Sequence, residues 1–222
     1  MQLKVKKTHA ISAKAAGMTE VAGLIMAGGM SRRMGGGDKS LCSLGGKPIL
    51  DYILERVHPQ VGPLLLNANG DPTRFAHYGL PVRPDVVEGF AGPLAGILTG
   101  LEWARESAPE CDWLVSFACD APFLPRDLVA RMLEACKAGD GQMACARSRG
   151  RSHPVFGLWP VDLLEDLRHA VIDEEIRKVD RWTSRYRLVE VDFPDFEGPS
   201  GPADPFFNTN RPEDLEAAEA FL

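Results

Sequence analysis

The chain has no apolar run long enough to cross a membrane, no CxxC pair and no surplus of positive charge. Without a spanning segment of about 20 apolar residues, a membrane role is not expected. Five cysteines (Cys42, Cys111, Cys119, Cys136 and Cys145) form neither an even set nor a paired motif. That argues against a disulfide framework or a zinc site and for reduced thiols in a cytoplasmic protein. Twenty-five Lys and Arg stand against 31 Asp and Glu, a net charge of −6 with the signs mixed along the chain. A nucleic-acid partner, which calls for a basic face, is therefore not expected, although a small anionic substrate remains compatible with local positive charge. The first 20 residues carry early lysines but no continuous apolar segment, so no signal peptide is read there. They are expected to be a flexible extension, followed by one domain over 21–222. With 222 residues, 45% of them apolar, a sizeable core is within reach.

What the chain does have is concentrated in one place. "GLIMAGGMSRRMGGGDKS" (23–40) holds six glycines, two arginines and a lysine directly after an apolar run. Glycine lets main-chain N–H groups approach oxygens closely, and Arg32, Arg33 and Lys39 can neutralise a polyphosphate. The P-loop pattern fails, because Asp38 stands where its last glycine must be. The GxGxxG dinucleotide pattern fails as well, since Gly35–Gly36–Gly37 runs into Asp38, Lys39 and Ser40. A phosphate loop of another kind is the chemical expectation. A plain flexible surface loop is the alternative.

Apolar runs alternate with amphipathic ones along the chain. "VAGLIMAG", "GPLLLNAN" and "DWLVSFACD" read as buried strands, with "SLCSL" and "LPVRPD" as brief extended pieces. "PILDYILERV", "GPLAGILTGLEWARES" and "LPRDLVARMLEACKAG" read as helices, the last ended by Gly139. "QMACAR" and "HPVFGLW" follow as strands, then a longer helical region over about 160–180, "YRLVEVDF", "FFNTN" and a final helix from "RPEDLEAAEAFL". "GPSGPADP" near residue 200 reads as a surface loop. The alternation calls for an α/β fold: one Rossmann-like domain, its sheet mostly parallel, with helices on both faces. Ligands of such sheets sit beyond the carboxyl ends of strands. Three loops there carry unusual chemistry: 28–39, 67–69 and 119–122.

In its motifs the chain resembles nucleotidyltransferases of the nucleotide-sugar type, and specifically the molybdenum cofactor guanylyltransferases. Their loop is an L-A-G-G-x-x-x-R-M-G-G-x-D-K run. Here Met26 replaces the leucine, while Arg33, Met34, Gly35, Gly36, Asp38 and Lys39 fall in register. The resemblance continues through "GKP" (46–48), "NAN" (67–69), "PD" (84–85), "GPLAGI" (92–97), "CDAPFLP" (119–125), "HP" (153–154) and "FNTNRPEDL" (207–215), nearly the whole chain from residue 21. Ala118 replaces a common proline, and Arg211 a common threonine.

The resemblance implies transfer of GMP from GTP to the phosphate of molybdopterin, with pyrophosphate released and Mg2+ as cofactor. It implies that Met26, Ala27, Gly28 and Gly29 meet the nucleotide through their backbone. Lys39 and Arg33 would act on the phosphates, and Asn67 and Asp85 would line the guanosine pocket. Asp120 would hold the metal and bridge it to the phosphates, and Asn208 and Asn210 would face the pterin. Cofactor-biosynthesis proteins and recipient molybdoenzymes are implied partners. The chemistry agrees: such transfer needs positioning and charge more than covalent work, and Mg2+ often takes one carboxylate plus substrate phosphates. An ionised phosphate nucleophile requires no general base, so no catalytic histidine is expected.

Plainer readings stand beside these. Asp120 and Asp85 can serve turns, and Asn67 and Asn69 turn geometry. Asn210 with Glu213 has capping-box spacing. His153 and the tryptophans fit packing roles. Rival functions are a cytidylyltransferase for the same cofactor, a transferase for another small phosphate, and a non-catalytic nucleotide carrier. "MAGG" and the presence of both Lys39 and Asp120 favour the guanylyltransferase.

Overall fold

The computed structural model describes residues 21–28, 38–87, 89 and 92–222. The N-terminal extension lies outside the described residues, as do Gly29, Arg32 and Arg33. The chain opens with β1 (Val21–Met26), then a short hairpin of β2 (Ser43–Leu44) and β3 (Lys47–Pro48) leads into α1 (Ile49–Val57). β4 (Leu64–Asn67), β5 (Val82–Arg83), α2 (Pro93–Ser107), β6 (Trp113–Ala118) and α3 (Leu128–Ala138) follow. The second half holds β7 (Met143–Ser148), β8 (Arg151–Pro160), α4 (Leu164–Ile172), α5 (Val179–Thr183), β9 (Leu188–Asp192), β10 (Phe196–Gly198), β11 (Gly201–Ala203) and α6 (Pro212–Glu219).

Seven strands form one sheet in the order β5-β4-β1-β6-β8-β7-β9. All run parallel except β8, which pairs antiparallel with both β6 and β7. β8 follows β7 through a two-residue turn in which Arg149 (φ 47°) and Gly150 (φ 74°) are both left-handed, the geometry that matches strand twist in a tight hairpin.

Period-two alternation in β1 explains the layers. Val21 and Ile25 pack with Ile49, Leu50 and Ile53 of α1 and with Leu128 and Met132 of α3. Ala22 and Leu24 point to the other face, against Leu94, Ile97, Leu98 and Leu101 of α2 and Leu167 of α4. Each fully buried Leu or Ile contributes about 1.5–3 kcal/mol. Helix α2 lies unusually close to the sheet. A Cβ at Gly100 would come within 2.7 Å of Leu24 Cδ2 and 2.8 Å of Leu114 Cδ2. That closeness sets the N-terminus of α2 over the ends of β1 and β4.

Three local expectations are corrected. The helical region over 160–180 breaks into α4 and α5, with left-handed Glu175 (φ 54°) between them. "SLCSL" begins as a 3-10 turn (Lys39–Leu41) and is strand only at Ser43–Leu44. "GPSGPADP" is not a bare loop, because part of it pairs as the β10–β11 ribbon. "FFNTN", which carries no element assignment from the sequence, is a loop stitched to the end of β6. Among the described residues no disulfide joins any of the five cysteines, and no helix is long and apolar enough to cross a membrane.

Candidate active site

Register brings the candidate loops together. Met26 pairs with Asn67 on one side and with Ala118 on the other, and Asn67 pairs with Arg83. The four chains therefore leave the sheet at one edge and in one row. Beyond that edge lies a cavity of about 440 Å³, with Lys39, Asn67, Asp85, Gly96 and Asp120 in its wall and the N-terminus of α2 at its rim. A helix N-terminus presents unpaired N–H groups and favours negative charge.

On one wall, two asparagines fix a carboxylate. Asn67 Nδ2 donates to Asp85 Oδ1 at 3.1 Å and to the Arg83 carbonyl at 3.2 Å. Asn69 Nδ2 donates to Asp85 Oδ2 at 2.8 Å, and Asn69 Oδ1 accepts from the Asp85 amide at 2.8 Å. Asp85 is thus held rigidly as an acceptor at the cavity wall. The side chains of the "NAN" and "PD" segments bond across 16 and 18 residues and so aim one another from two separate loops. Gly96 faces this wall, where a Cβ would lie 2.7 Å from both Asn67 Oδ1 and Met26 Cε.

On the opposite wall, Lys39 Nζ donates to Asp120 Oδ2 at 2.6 Å and also to Asn210 Oδ1. With the Asn208 amide assigned in the orientation that turns its nitrogen toward acceptors, it donates to Asp120 Oδ1 and to the Phe206 carbonyl, each at 3.2 Å. Buried Thr209 completes the stitch: its amide and its hydroxyl donate to the Asp120 carbonyl at 2.8 and 3.0 Å. The pair Asn208 and Asn210 therefore sits on Lys39 and Asp120 directly. Capping of α6 falls to Asp214 and not to Glu213, since Asp214 Oδ2 accepts from the amides of Asn210 and Arg211, both at 2.8 Å. The Asn210 side chain is free of that duty.

Met26 and Gly28 line the cavity. Ala27 is 1% exposed and its amide donates to the Asn67 carbonyl at 2.8 Å, so that N–H is committed to the sheet. Gly29 and Arg33 fall outside the described residues. His153 pairs with Ser148 and stacks on Phe206, a packing role. Trp159 and Trp182 are fully buried. Cys119 borders the cavity, but burial, reinforced by the charge of Asp120, pushes its thiol up to about 12. It stays protonated and is no nucleophile. No group of three or more His, Cys, Asp or Glu side chains among the described residues is arranged to hold a metal. The site offers fixed hydrogen-bond acceptors at one end and a lysine cation beside a carboxylate at the other. Such a cleft suits a base with N–H donors at one end of its ligand and phosphates at the other.

Sequence reasoning missed three residues here. Thr209 lay unremarked between the two asparagines. Gly96 was quoted within "GPLAGI" without a role. Arg74, whose guanidinium reaches Asp38 and the Asn69 carbonyl, carried no motif at all.

Residues 23–189 match the family model of the MobA-like NTP transferase domain. The chain is 56% identical over 201 residues to a molybdenum cofactor guanylyltransferase from Bradyrhizobium sp. (strain ORS 278), covering 90% of this chain and 92% of that one. It is 53% identical to a protein of the same name from Mesorhizobium japonicum, covering 91% and 96%. Its fold is similar to that of molybdopterin-guanine dinucleotide biosynthesis protein A from Archaeoglobus fulgidus. That match has a TM-score of 0.67 at 21% identity and covers 89% of this chain and 96% of that one.

Proposed function

The chain belongs to the molybdenum cofactor guanylyltransferase family, within the MobA-like NTP transferases, and from that premise we propose that it transfers the GMP unit of GTP to the phosphate of molybdopterin. An oxygen of the pterin's phosphate attacks the α-phosphorus of GTP. A new P–O–P link forms, the bond to the β-phosphate breaks, and pyrophosphate leaves. The observation that carries this reading is the two-ended cleft, with Asp85 fixed at one wall and Lys39 beside Asp120 at the other.

Guanine presents an N–H and an amino group on one edge, both donors, and the Asp85 carboxylate can accept both. Cytosine offers only its amino group there, so a carboxylate held in place discriminates by leaving a polar group unpaired. Lys39 exchanges Asp120 for the phosphates of the nucleotide, stabilising the leaving pyrophosphate. Arg33 is assigned to the same task, and Asn208 and Asn210 to the pterin side.

Divalent metal fits the donor set. One carboxylate at a rigid strand end, with phosphate oxygens supplied by the substrate, is a common arrangement for Mg2+, and the lack of a three-ligand cluster among the described residues is consistent with it. Asp120 would hold the ion, which would supply Lewis-acid charge neutralisation at the transferred phosphate.

The test incubates the protein with Mg2+, molybdopterin and each NTP in turn, following pyrophosphate and the dinucleotide product. GTP-dependent formation of both is expected. Equal turnover with CTP overturns the base assignment, and pyrophosphate without a dinucleotide overturns the transfer.

A further inference from the structure

Asp38 is the residue that spoils the P-loop register, and nothing in the reaction as described uses it. It lies next to Lys39, its side chain is only 12% exposed, and it pairs with Arg74 Nε. Arg74 comes from the 3-10 segment Pro72–Tyr78, which Asp71 caps by accepting from the Thr73 amide at 2.9 Å. The same guanidinium donates from Nη2 to the Asn69 carbonyl at 2.6 Å and from Nη1 to the Asp71 carbonyl. One planar fork therefore ties the exit of the glycine-rich loop to the loop that aims Asp85. Its partners are the residue before Lys39 on one side and Asn69, which holds the Asp85 carboxylate and amide, on the other.

We propose that Arg74 is a positioning residue for the nucleotide, setting the distance between the phosphate cation Lys39 and the base acceptor Asp85 and cancelling the charge of Asp38. The inference rests on the reading of the cleft as a GTP site. Two physical effects support it. A planar guanidinium bonded to three acceptors on two loops in fixed geometry holds those loops in a way that a lysine cannot. A largely buried carboxylate stripped of its partner costs more than the pair was worth, and here it would also stand next to the residue that must meet a triphosphate.

The experiment is calorimetric titration of GTP into the intact chain, with steady-state kinetics and melting curves alongside. Arg74→Met should weaken GTP affinity on the order of tenfold and raise its KM alike, with kcat at saturating GTP changed far less, the mark of lost ground-state positioning. Asp38→Asn placed on Arg74→Met should recover part of that loss, because it removes the stranded charge but cannot restore the fork that ties the two loops. Arg74→Lys should fall between, keeping charge and losing the fork, and carries the same test if the methionine variant does not fold. Wild-type GTP affinity in either single variant overturns the proposal, as does a double variant no better than Arg74→Met. If the wild-type chain itself does not bind GTP, the reading of the cleft falls and the proposal with it. Wild-type binding together with an indifferent Arg74 overturns the proposal alone.

Discussion

Lys39 Nζ sits 2.6 Å from Asp120 Oδ2, so the cation of the glycine-rich loop rests on the carboxylate at the end of β6. The two side chains are 12% and 19% exposed. They come from loops 81 residues apart in sequence that parallel pairing of β1 and β6 delivers to one edge. The two charges are thus held against each other. On the proposed reading, a triphosphate entering the cleft would give Lys39 a better partner and leave Asp120 free for a metal ion, so the ion pair would link nucleotide binding to metal binding.

Asp120→Asn should retain the fold, because the Asp120 contacts that hold residues 206–210 in place run largely through its main-chain carbonyl to Thr209. Metal-dependent turnover should fall on the order of a hundredfold, the scale of losing one preorganised electrostatic group. GTP affinity in the presence of chelator should hold or improve, since Lys39 is no longer competed for and a repelling charge is gone. Turnover against Mg2+ concentration and nucleotide titration with and without chelator check both halves. Near wild-type turnover with an unchanged Mg2+ requirement would place the metal elsewhere.

Gly96→Ala separates the cavity from the helix. The new methyl would meet Asn67 Oδ1 and Met26 Cε at 2.7 Å. Met26 can swing aside, but Asn67 is pinned by Arg83 and Asp85. Alanine is the better helix former by about 1 kcal/mol, which offsets part of the clash in the melting temperature. The expected result is a GTP KM raised several-fold, with the melting point shifted little. An unaltered KM would mean that Asn67 has room to retreat and does not define the pocket.

The central strands and the helices α1, α2 and α3 were legible because buried elements leave a period, and the strand-end loops were legible because chemistry collects there. Lys39, Asn67, Asp85 and Asp120 all belong to such loops, and the structure brings them around one cavity. The antiparallel insertion of β8 was not legible, since a strand that returns through a hairpin carries the same alternation as one that does not. The break between α4 and α5 rests on left-handed Glu175, a residue with no turn signature. Arg74 reaches Asp38 across 36 residues, a relation that neither periodicity nor motif records. The cap of α6 was misplaced by one position: Asp214, not Glu213, accepts from the preceding amides.

That corrected cap sharpens the test of Asn208 and Asn210. Replacing both with alanine removes no acceptor from the start of α6, so the melting temperature should drop by less than the loss of a real cap, about 0.5–2 kcal/mol, would cause. The Lys39–Asp120 pair survives the change, so GTP affinity should move little. Use of molybdopterin should fall, read as kcat/KM for the pterin substrate at saturating GTP. Unchanged pterin kinetics in the folded variant would return both residues to a purely structural role in the loop.

His153 supplies a stability signature that is separate from catalysis. Ser148 Oγ donates to Asp204 Oδ1 at 2.7 Å, so its contact with His153 Nε2, also 2.7 Å, requires the ring nitrogen to carry the proton. The ring lies on Phe206 with centroids 4.6 Å apart, which links the β7–β8 hairpin to the segment that leads into Asn208. Burial holds the imidazole below its ordinary value of 6.5; Asp204 pulls upward and Arg151 pushes downward, and burial prevails. The folded state therefore resists a second proton that the unfolded chain accepts near pH 6.5. Above that pH both states are neutral at this position and its contribution is intact. As the pH falls through the unfolded value the unfolded chain binds more protons, and stability is lost. His153→Gln keeps an amide donor for Ser148 and cannot titrate. Between pH 7.5 and 5 the wild-type melting temperature should drop more steeply than that of the variant, with the curves separating below about pH 6.5. Parallel curves across that range would show that His153 gains its proton in the folded protein as readily as in the unfolded one, and that its place against Phe206 does not depend on charge.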